Sequence, residues 1–204
     1  MTVTAEGVAP AAAAAGSWTA LADLVSRCVA CPELVASRTR VVPGTVPGRH
    51  ADVLLVGEAP GAQEDETGVP FVGRSGALLD RLLTEAGLPR ERVAVANVLK
   101  CRPPQNRRPR RREVVRCRPW LERQLELVDP RVVVALGGTA AEWFFGATAR
   151  IAVLRQAEQH HAGRRVVVTY HPSAAIRFGP AGAPLAALRA DLETVARLVA
   201  EKAP

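Results

Sequence analysis

Four short runs constrain the fold of this 204-residue chain more than anything else in it: Val53 to Val56, Val93 to Val98, Val132 to Leu136 and Val166 to Thr169 are apolar at successive positions, interrupted only by Asn97 and by the closing Thr169. A strand with one face in water alternates apolar and polar residues, whereas a strand that is apolar at successive positions is covered on both faces. Stretches with apolar residues at helical spacing lie between these runs. Leu78, Leu79, Leu82, Leu83 and Ala86 form one stripe, ended by Gly87 and Pro89. Val114, Val115, Trp120, Leu121 and Leu125 form another over about 111 to 128, a short helix follows Gly137-Gly138-Thr139 through Phe145, and Leu185 to Ala200 make the closing helix. The expected fold is α/β, with three layers (α/β/α) and a central, mainly parallel four-stranded sheet.

Residues 1 to 16 are Ala-rich and low in complexity, and are expected to be a disordered tail. Order is expected from Ser17, a suitable cap for a helix carrying Trp18, Leu21, Leu24 and Val25. Residues 17 to 204 are expected to form one domain, since 48% hydrophobic content suffices for a single buried core. The formal net charge of +7 points to an anionic partner, either nucleic acid or an acidic membrane surface. No apolar run approaches the length of a membrane span, and the Ala-rich start lacks the basic segment of a signal peptide, so a cytoplasmic protein is expected.

The first apolar run is stopped by Gly57, Pro60 and Gly61, and a second turn at Gly73, Ser75 and Gly76 opens a helix near Ala77. Strand, tight loop and helix entry make a cleft at the carboxyl end of a parallel strand, where glycines let a flat ligand approach the backbone. The loop has neither the glycine spacing of a dinucleotide site nor the Gly-Lys-Ser/Thr ending of a phosphate-cradling loop. It carries three acids, Glu58, Glu64 and Asp65, and one aromatic, Phe71, a set suited to a small polar ring.

Cys28 and Cys31 form a C-x2-C pair, and Cys101 and Cys117 stand fifteen residues apart downstream. In a reducing compartment such a set suggests a metal centre rather than disulfides. Cysteine-only ligation fits structural zinc and a cubane iron–sulfur cluster alike.

GEAPG followed by ED and then PFVGRSG, residues 57 to 76, resembles the first signature of the family 4 uracil-DNA glycosylases. The run from Asn97 to Asn106, NVLKCRPPQN, resembles their second signature, and Tyr170 to Arg177, YHPSAAIR, their third. The resemblance covers roughly Ser17 to Val199. It implies an enzyme that flips uracil out of DNA and hydrolyses its N-glycosidic bond, and a [4Fe-4S] cluster on Cys28, Cys31, Cys101 and Cys117. It also implies a base pocket of Glu58, Ala59, Pro60, Gly61, Glu64, Phe71, Asn97 and His171. In that pocket Phe71 would stack on the flipped ring, Asn97 would read its edge and Glu64 would sit near C5, where its bulk rejects the methyl of thymine. His171 would hydrogen-bond the O2 of the departing base, so His171, Glu58 and Asn97 are the catalytic candidates. Better-known uracil glycosylases carry a general-base aspartate where this chain has Ala59, and Glu58 is the nearest carboxylate.

Eight arginines between Arg102 and Arg118 are countered locally only by Glu113. Arg102, Arg107, Arg108 and Arg110 are the expected phosphate contacts, joined by Ser173, Ile176 and Arg177 of the third signature. Ile176 is the expected wedge into the duplex, although Ala175 and Ile176 stand where paired leucines are frequent. The expected partner is uracil-containing DNA, double- or single-stranded, bound by a monomer without membrane association. Two alternatives differ in kind. One is a uracil-DNA binder that traps its target covalently; such relatives have an added basic loop with a histidine before the fourth cysteine and a glutamine in the first signature. Lys100 to Cys117 contains no histidine, and Ala59 replaces the glutamine. The other is a zinc-stabilised nucleotide-binding module, which a brown colour of the pure protein excludes.

Overall fold

The computed structural model of the chain describes residues 2–48 and 50–201. Met1 of the expected tail and residues 202–204 of the expected domain lie outside the described residues. Four strands run parallel: β1 (Val53–Gly57), β2 (Val93–Asn97), β3 (Val132–Leu136) and β5 (Arg164–Thr169). The expected four-stranded sheet gains a fifth member, β4 (Gln159–His161), which pairs antiparallel with β5 at one edge. It is three residues long and polar, so no hydrophobic pattern announces it, and beyond its pairing with β5 it is held by His161 packing on Trp143 and Phe144 of the helix after β3. The strand order is β2-β1-β3-β5-β4. The chain therefore leaves β1 toward one side for β2 and crosses to the other side for β3, which opens a crevice at the carboxyl ends of β1 and β3.

The continuous apolar runs divide between two cores. Leu54 and Val56 of β1, Ala94 and Ala96 of β2, and Val133 and Ala135 of β3 face one side. Helices α6 (Arg111–Val128) and α7 (Gly138–Phe145) meet them there through Leu121, Leu125, Trp143 and Phe144, flanked by the short α8 (Ile151–Leu154). Val53, Leu55, Val93, Val95, Val132 and Val134 face the other side, against Leu79, Leu82 and Leu83 of α5 (Arg74–Glu85) and Leu188, Leu192 and Val195 of α10 (Ala183–Ala200). Full burial of one such side chain contributes roughly 1.5–3 kcal/mol. Helix α9 (Pro172–Phe178) packs between α5 and α10 at the carboxyl end of β5.

The expectation of a disordered tail is corrected. Helix α1 (Val8–Ala14) and α2 (Trp18–Ser26) form a third apolar cluster in which Val3, Val8, Ala12, Ala15, Leu21 and Val25 are buried with Trp120 of α6. Val3 adds backbone hydrogen bonds, donating to the Arg27 carbonyl (3.0 Å) and accepting from Val29 (2.8 Å). Alanine has the highest helix propensity, and Pro10 sits in the first turn of α1, where its missing N–H costs nothing. The helix is held because Trp120 offers it a face. Ser17 caps α2 as expected, its hydroxyl accepting from the Ala20 N–H (3.2 Å).

Candidate active site

The loops that leave β1, β2 and β5 wall the crevice, and the loop after β3 backs it through Thr139 on Glu58 and Gly137 against His171. Glu58 to Gly61 follow β1, Asn97 ends β2, Gly137 to Thr139 follow β3 and His171 follows β5. Glu58, Ala59, Pro60, Gly61, Glu64, Phe71, Asn97 and His171 line a single cleft of about 1170 Å³ of open space, so the structure brings all eight expected pocket residues together.

Two glycines set the geometry of the cleft. A Cβ on Gly57 would lie 2.3 Å from Asn97 Oδ1 and 2.7 Å from Phe71 Cζ, so the amide and the aromatic ring share the space over one bare backbone position. A Cβ on Gly76 would lie 1.7 Å from the Phe71 carbonyl oxygen, so the chain can fold back there only on a glycine. Phe71 itself has φ = 56°, a left-handed conformation that costs a bulky residue on the order of 1–3 kcal/mol. Its neighbours hold it in place. Arg90 donates to the Pro70 carbonyl (2.9 Å), and Glu64 Oε1 accepts from the Val72 and Gly73 N–H groups, both at 3.0 Å.

Glu64 also closes the start of α4 (Ala62–Thr67), its Oε2 accepting from the Gly61 N–H at 3.1 Å. Three backbone donors thus occupy its carboxylate. It clamps the β1 loop to the Phe71 turn while lining the cleft. Asp65, the third acid of the loop, is 2% exposed and turns away to accept from the Thr39 and Arg40 N–H groups (2.9–3.2 Å). Glu58 is held by the hydroxyl of Thr139, at the start of α7. Thr139 was not readable as a site residue, since it stands 81 positions away in sequence.

Asn97 is 3% exposed, and among the described residues its side-chain amide has no hydrogen-bond partner. A buried, unpaired amide facing a cleft is an unmet demand for a ligand with both a donor and an acceptor. Its backbone carbonyl, by contrast, accepts from Lys100 Nζ at 2.6 Å. Lys100 is 1% exposed and also donates to Gln124 Oε1 (2.5 Å), while Gln124 donates to the Pro43 carbonyl (2.6 Å). Burial pushes the Lys100 ammonium down to about 8. The position of Asn97 is therefore fixed through a lysine and a glutamine that sequence reasoning missed.

His171 is half-buried beside Phe71, with ring centroids 5.7 Å apart. Burial lowers its pKa to about 4 against the opposing charge of Glu64, so the ring is neutral at physiological pH. The Ser173 backbone N–H donates to Nδ1 (3.2 Å), with the Ser173 hydroxyl 2.8 Å from the same atom. A neutral imidazole that accepts at Nδ1 carries its proton on Nε2. The ring is thus a fixed neutral donor.

Arg107, Ser173 and Arg177 line the same cleft, while Arg102, Arg108, Arg110 and Ile176 do not. Ile176 faces a neighbouring trough between α5 and α9. The arginine run is less free than its sequence implies, because two distant acids join Glu113. Arg107 pairs with Glu113 (2.7 Å) and with Glu33 (3.2 Å) of α3 (Pro32–Val35), Glu33 also holds Arg110 and Arg112, and Arg108 pairs with Glu142.

Cys28, Cys31, Cys101 and Cys117 line a second cavity, with Leu34, Leu99 and Trp120 as apolar walls. Burial pushes the Cys101 thiol up to about 11 and the Cys117 thiol up to about 12. Cations lie beside them: Arg38 donates to Cys101 Sγ (2.8 Å) and to the Cys28 carbonyl (2.7 Å), and Arg116 reaches the Ala30 carbonyl (3.3 Å). Among the described residues, no three Cys, His, Asp or Glu side chains are close enough to hold one metal ion.

Fold and site together define an α/β protein with a strand-end crevice lined by an amide, an aromatic ring and an imidazole. Residues 43–193 match the family model described as the uracil DNA glycosylase superfamily. The chain belongs to that superfamily and is a DNA repair glycosylase, a hydrolase of N-glycosyl bonds. It is 43% identical over 159 residues to the type-4 uracil-DNA glycosylase of Thermotoga maritima, covering 77% of this chain and 82% of that protein. It is 40% identical over 166 residues to the type-4 uracil-DNA glycosylase of Archaeoglobus fulgidus, covering 76% and 83%. A type-5 uracil-DNA glycosylase of Pyrobaculum aerophilum is 35% identical over 189 residues, covering 74% and 81%.

Proposed function

We propose that this chain excises uracil from DNA in the manner of the type-4 enzymes it resembles, acting as a monomer. The observation that carries this reading is the unpartnered Asn97 amide beside Phe71 and the neutral His171 donor. Uracil presents O4 as an acceptor and N3–H as a donor on one edge, which an amide satisfies at once, and its flat ring suits the Phe71 face. Cleavage of the C1′–N1 bond sends the electron pair to the base, giving a uracil anion, while the sugar becomes an oxocarbenium-like cation. Negative charge that develops on O2 would be met by the Nε2–H of His171, a donor already oriented before charge appears. Water then adds to C1′ and loses a proton, leaving an abasic site and free uracil. Glu58, anchored by Thr139, faces the cleft and holds negative charge near the cation, consistent with a role in orienting water or stabilising that charge.

The cysteine cavity fits a [4Fe-4S] cluster better than zinc. Four thiols line one cavity, and Arg38, Lys100 and Arg116 around them suit an anionic group such as a cluster held by thiolates. Cys28, Cys31, Cys101 and Cys117 would hold the cluster, which would supply a covalent tie between the N-terminal segment and α6, and no electron transfer.

The deciding experiment is release of free base from a duplex with one uracil, under excess enzyme, beside duplexes carrying thymine or cytosine at that position. Release from the uracil duplex alone is expected. Equal release of thymine would sink the assignment of the pocket.

A further inference from the structure

Three arginines line the cleft, and they are not equivalent. Arg107 spends its guanidinium on Glu113 and Glu33. Arg74 and Arg177 are exposed and, among the described residues, make no ion pair or hydrogen bond. Arg74 opens α5 and Arg177 lies four residues after Ser173 on α9, and these two helices pack together, so both cations stand at the cleft on adjoining helices. Behind Arg74 the surface continues as a trough floored by Leu78, Ile176 and Pro180, to which Arg74 also belongs.

We propose that Arg74 and Arg177 hold the two phosphates flanking the flipped nucleotide, and that the trough takes the next stretch of the same strand. The inference rests on the uracil-excising reading above. When a base is extruded into a pocket, its two phosphates are drawn to the pocket's mouth, and the cations there with charge to spare are the ones that bind them. A guanidinium already matched by carboxylates must give up one partner to gain another, so its net contribution is small. Among Arg107, Arg108, Arg110 and Arg112, four guanidiniums are set against the three carboxylates of Glu33, Glu113 and Glu142. Arg74 and Arg177 carry no such debt. The apolar floor beside Arg74 suits the sugar and base edges of a strand that has left the stack. Arg74 was not singled out by the sequence, where the PFVGRSG run gives no sign that its arginine points outward.

The test uses a labelled duplex with one 2′-fluorodeoxyuridine, whose fluorine disfavours the sugar cation and keeps the substrate whole. Binding is titrated over a salt series for the wild type, Arg74→Ala, Arg177→Ala and Arg108→Ala. Arg74→Ala and Arg177→Ala are each expected to weaken binding about tenfold at low salt and to lower the slope of log K against log salt by about 1. Arg108→Ala should change the slope less than half as much. Arg74→Lys should restore the slope, which a purely structural role for Arg74 would not predict. Wild-type slope and affinity in both Arg74→Ala and Arg177→Ala would overturn the proposal. Uracil release by the wild type is measured in parallel on the unmodified duplex. If release is normal and the arginine variants bind normally, only the rim assignment fails; if the wild type releases no base, the underlying reading fails and takes the rim with it.

Discussion

Two cavities lie a single turn of chain apart, and they are built on opposite principles. Asn97 faces the cleft, and Cys101, four residues on, faces the thiol cavity. The cleft keeps hydrogen-bonding groups idle, an amide that opens onto it without a partner and a neutral imidazole with its donor free, beside an aromatic residue held in a left-handed conformation. In the thiol cavity arginines lie close to the sulfur groups and to nearby carbonyls, and the walls are apolar. The difference teaches where this fold stores its unspent interactions. Chemistry is expected where idle groups open onto a cleft, and cohesion where cations crowd sulfurs, even though Trp120 Nε1 on the thiol-cavity wall is itself buried without a hydrogen-bond partner.

Substitutions can break that division. His171→Ala removes a donor that works only as charge develops, so the single-turnover excision rate should fall roughly 10²- to 10⁴-fold with duplex affinity nearly unchanged. A wild-type rate would shift the site onto Glu58. Cys101→Ala should do the reverse, abolishing the brown colour and costing about 3 kcal/mol or more, read as a drop in Tm of about 6 °C or more for a domain of this size. A colourless variant with an unchanged Tm would remove the cluster from the account. Lys100→Met tests the link between the two regions. It leaves the Asn97 carbonyl and Gln124 Oε1 without their donor, a loss of about 1–3 kcal/mol, and should slow excision while the protein stays brown. If colour went and excision stayed, Lys100 would belong to the thiol cavity instead.

The smallest effect expected is on pH dependence. His171 titrates near 4 in the fold against a usual 6.5. Between those values the unfolded chain binds the extra proton, so this residue's contribution to stability is full above pH 6.5 and is lost as pH falls toward 4. His171→Gln should flatten that part of the stability profile, and excision by the wild type should show no inflection from His171 between about pH 5 and 8. An inflection near 6.5 that vanishes in the variant would mean the ring is not desolvated as described.

Much of this was legible in the sequence where the signal was local. The continuous apolar runs gave β1, β2 and β3 because two-sided burial leaves no polar position to alternate, and the Arg111–Val128 helix was readable to its ends from its stripe. The eight pocket residues were readable because their motifs sit at strand ends. What stayed hidden was carried by partners far apart in sequence. Glu33 lies 74 to 79 positions from the arginines it holds, and nothing in its PELV setting suggests it. Glu64 lines the cleft, and the three backbone N–H groups that hold its carboxylate there are a geometry that only the fold of the loop creates. Residues 1 to 16 were misjudged because alanine buries little surface per residue, and the docking face that makes it sufficient belongs to α6.

The thiol cavity also dictates an order of events during synthesis. Its first wall, Cys28 and Cys31 with Val3 laid alongside, leaves the ribosome early, and its last wall, Cys117, lies in the second turn of α6. At 5–20 residues per second, the ~86 residues between Cys31 and Cys117 take roughly 4 to 17 seconds to make. Throughout that interval the first two thiols are exposed to whatever oxidant or stray metal the surroundings hold. A cluster of the kind proposed would find only three of its four sulfurs in a nascent chain ending before α6, so its insertion would wait until more than half of the chain has been made.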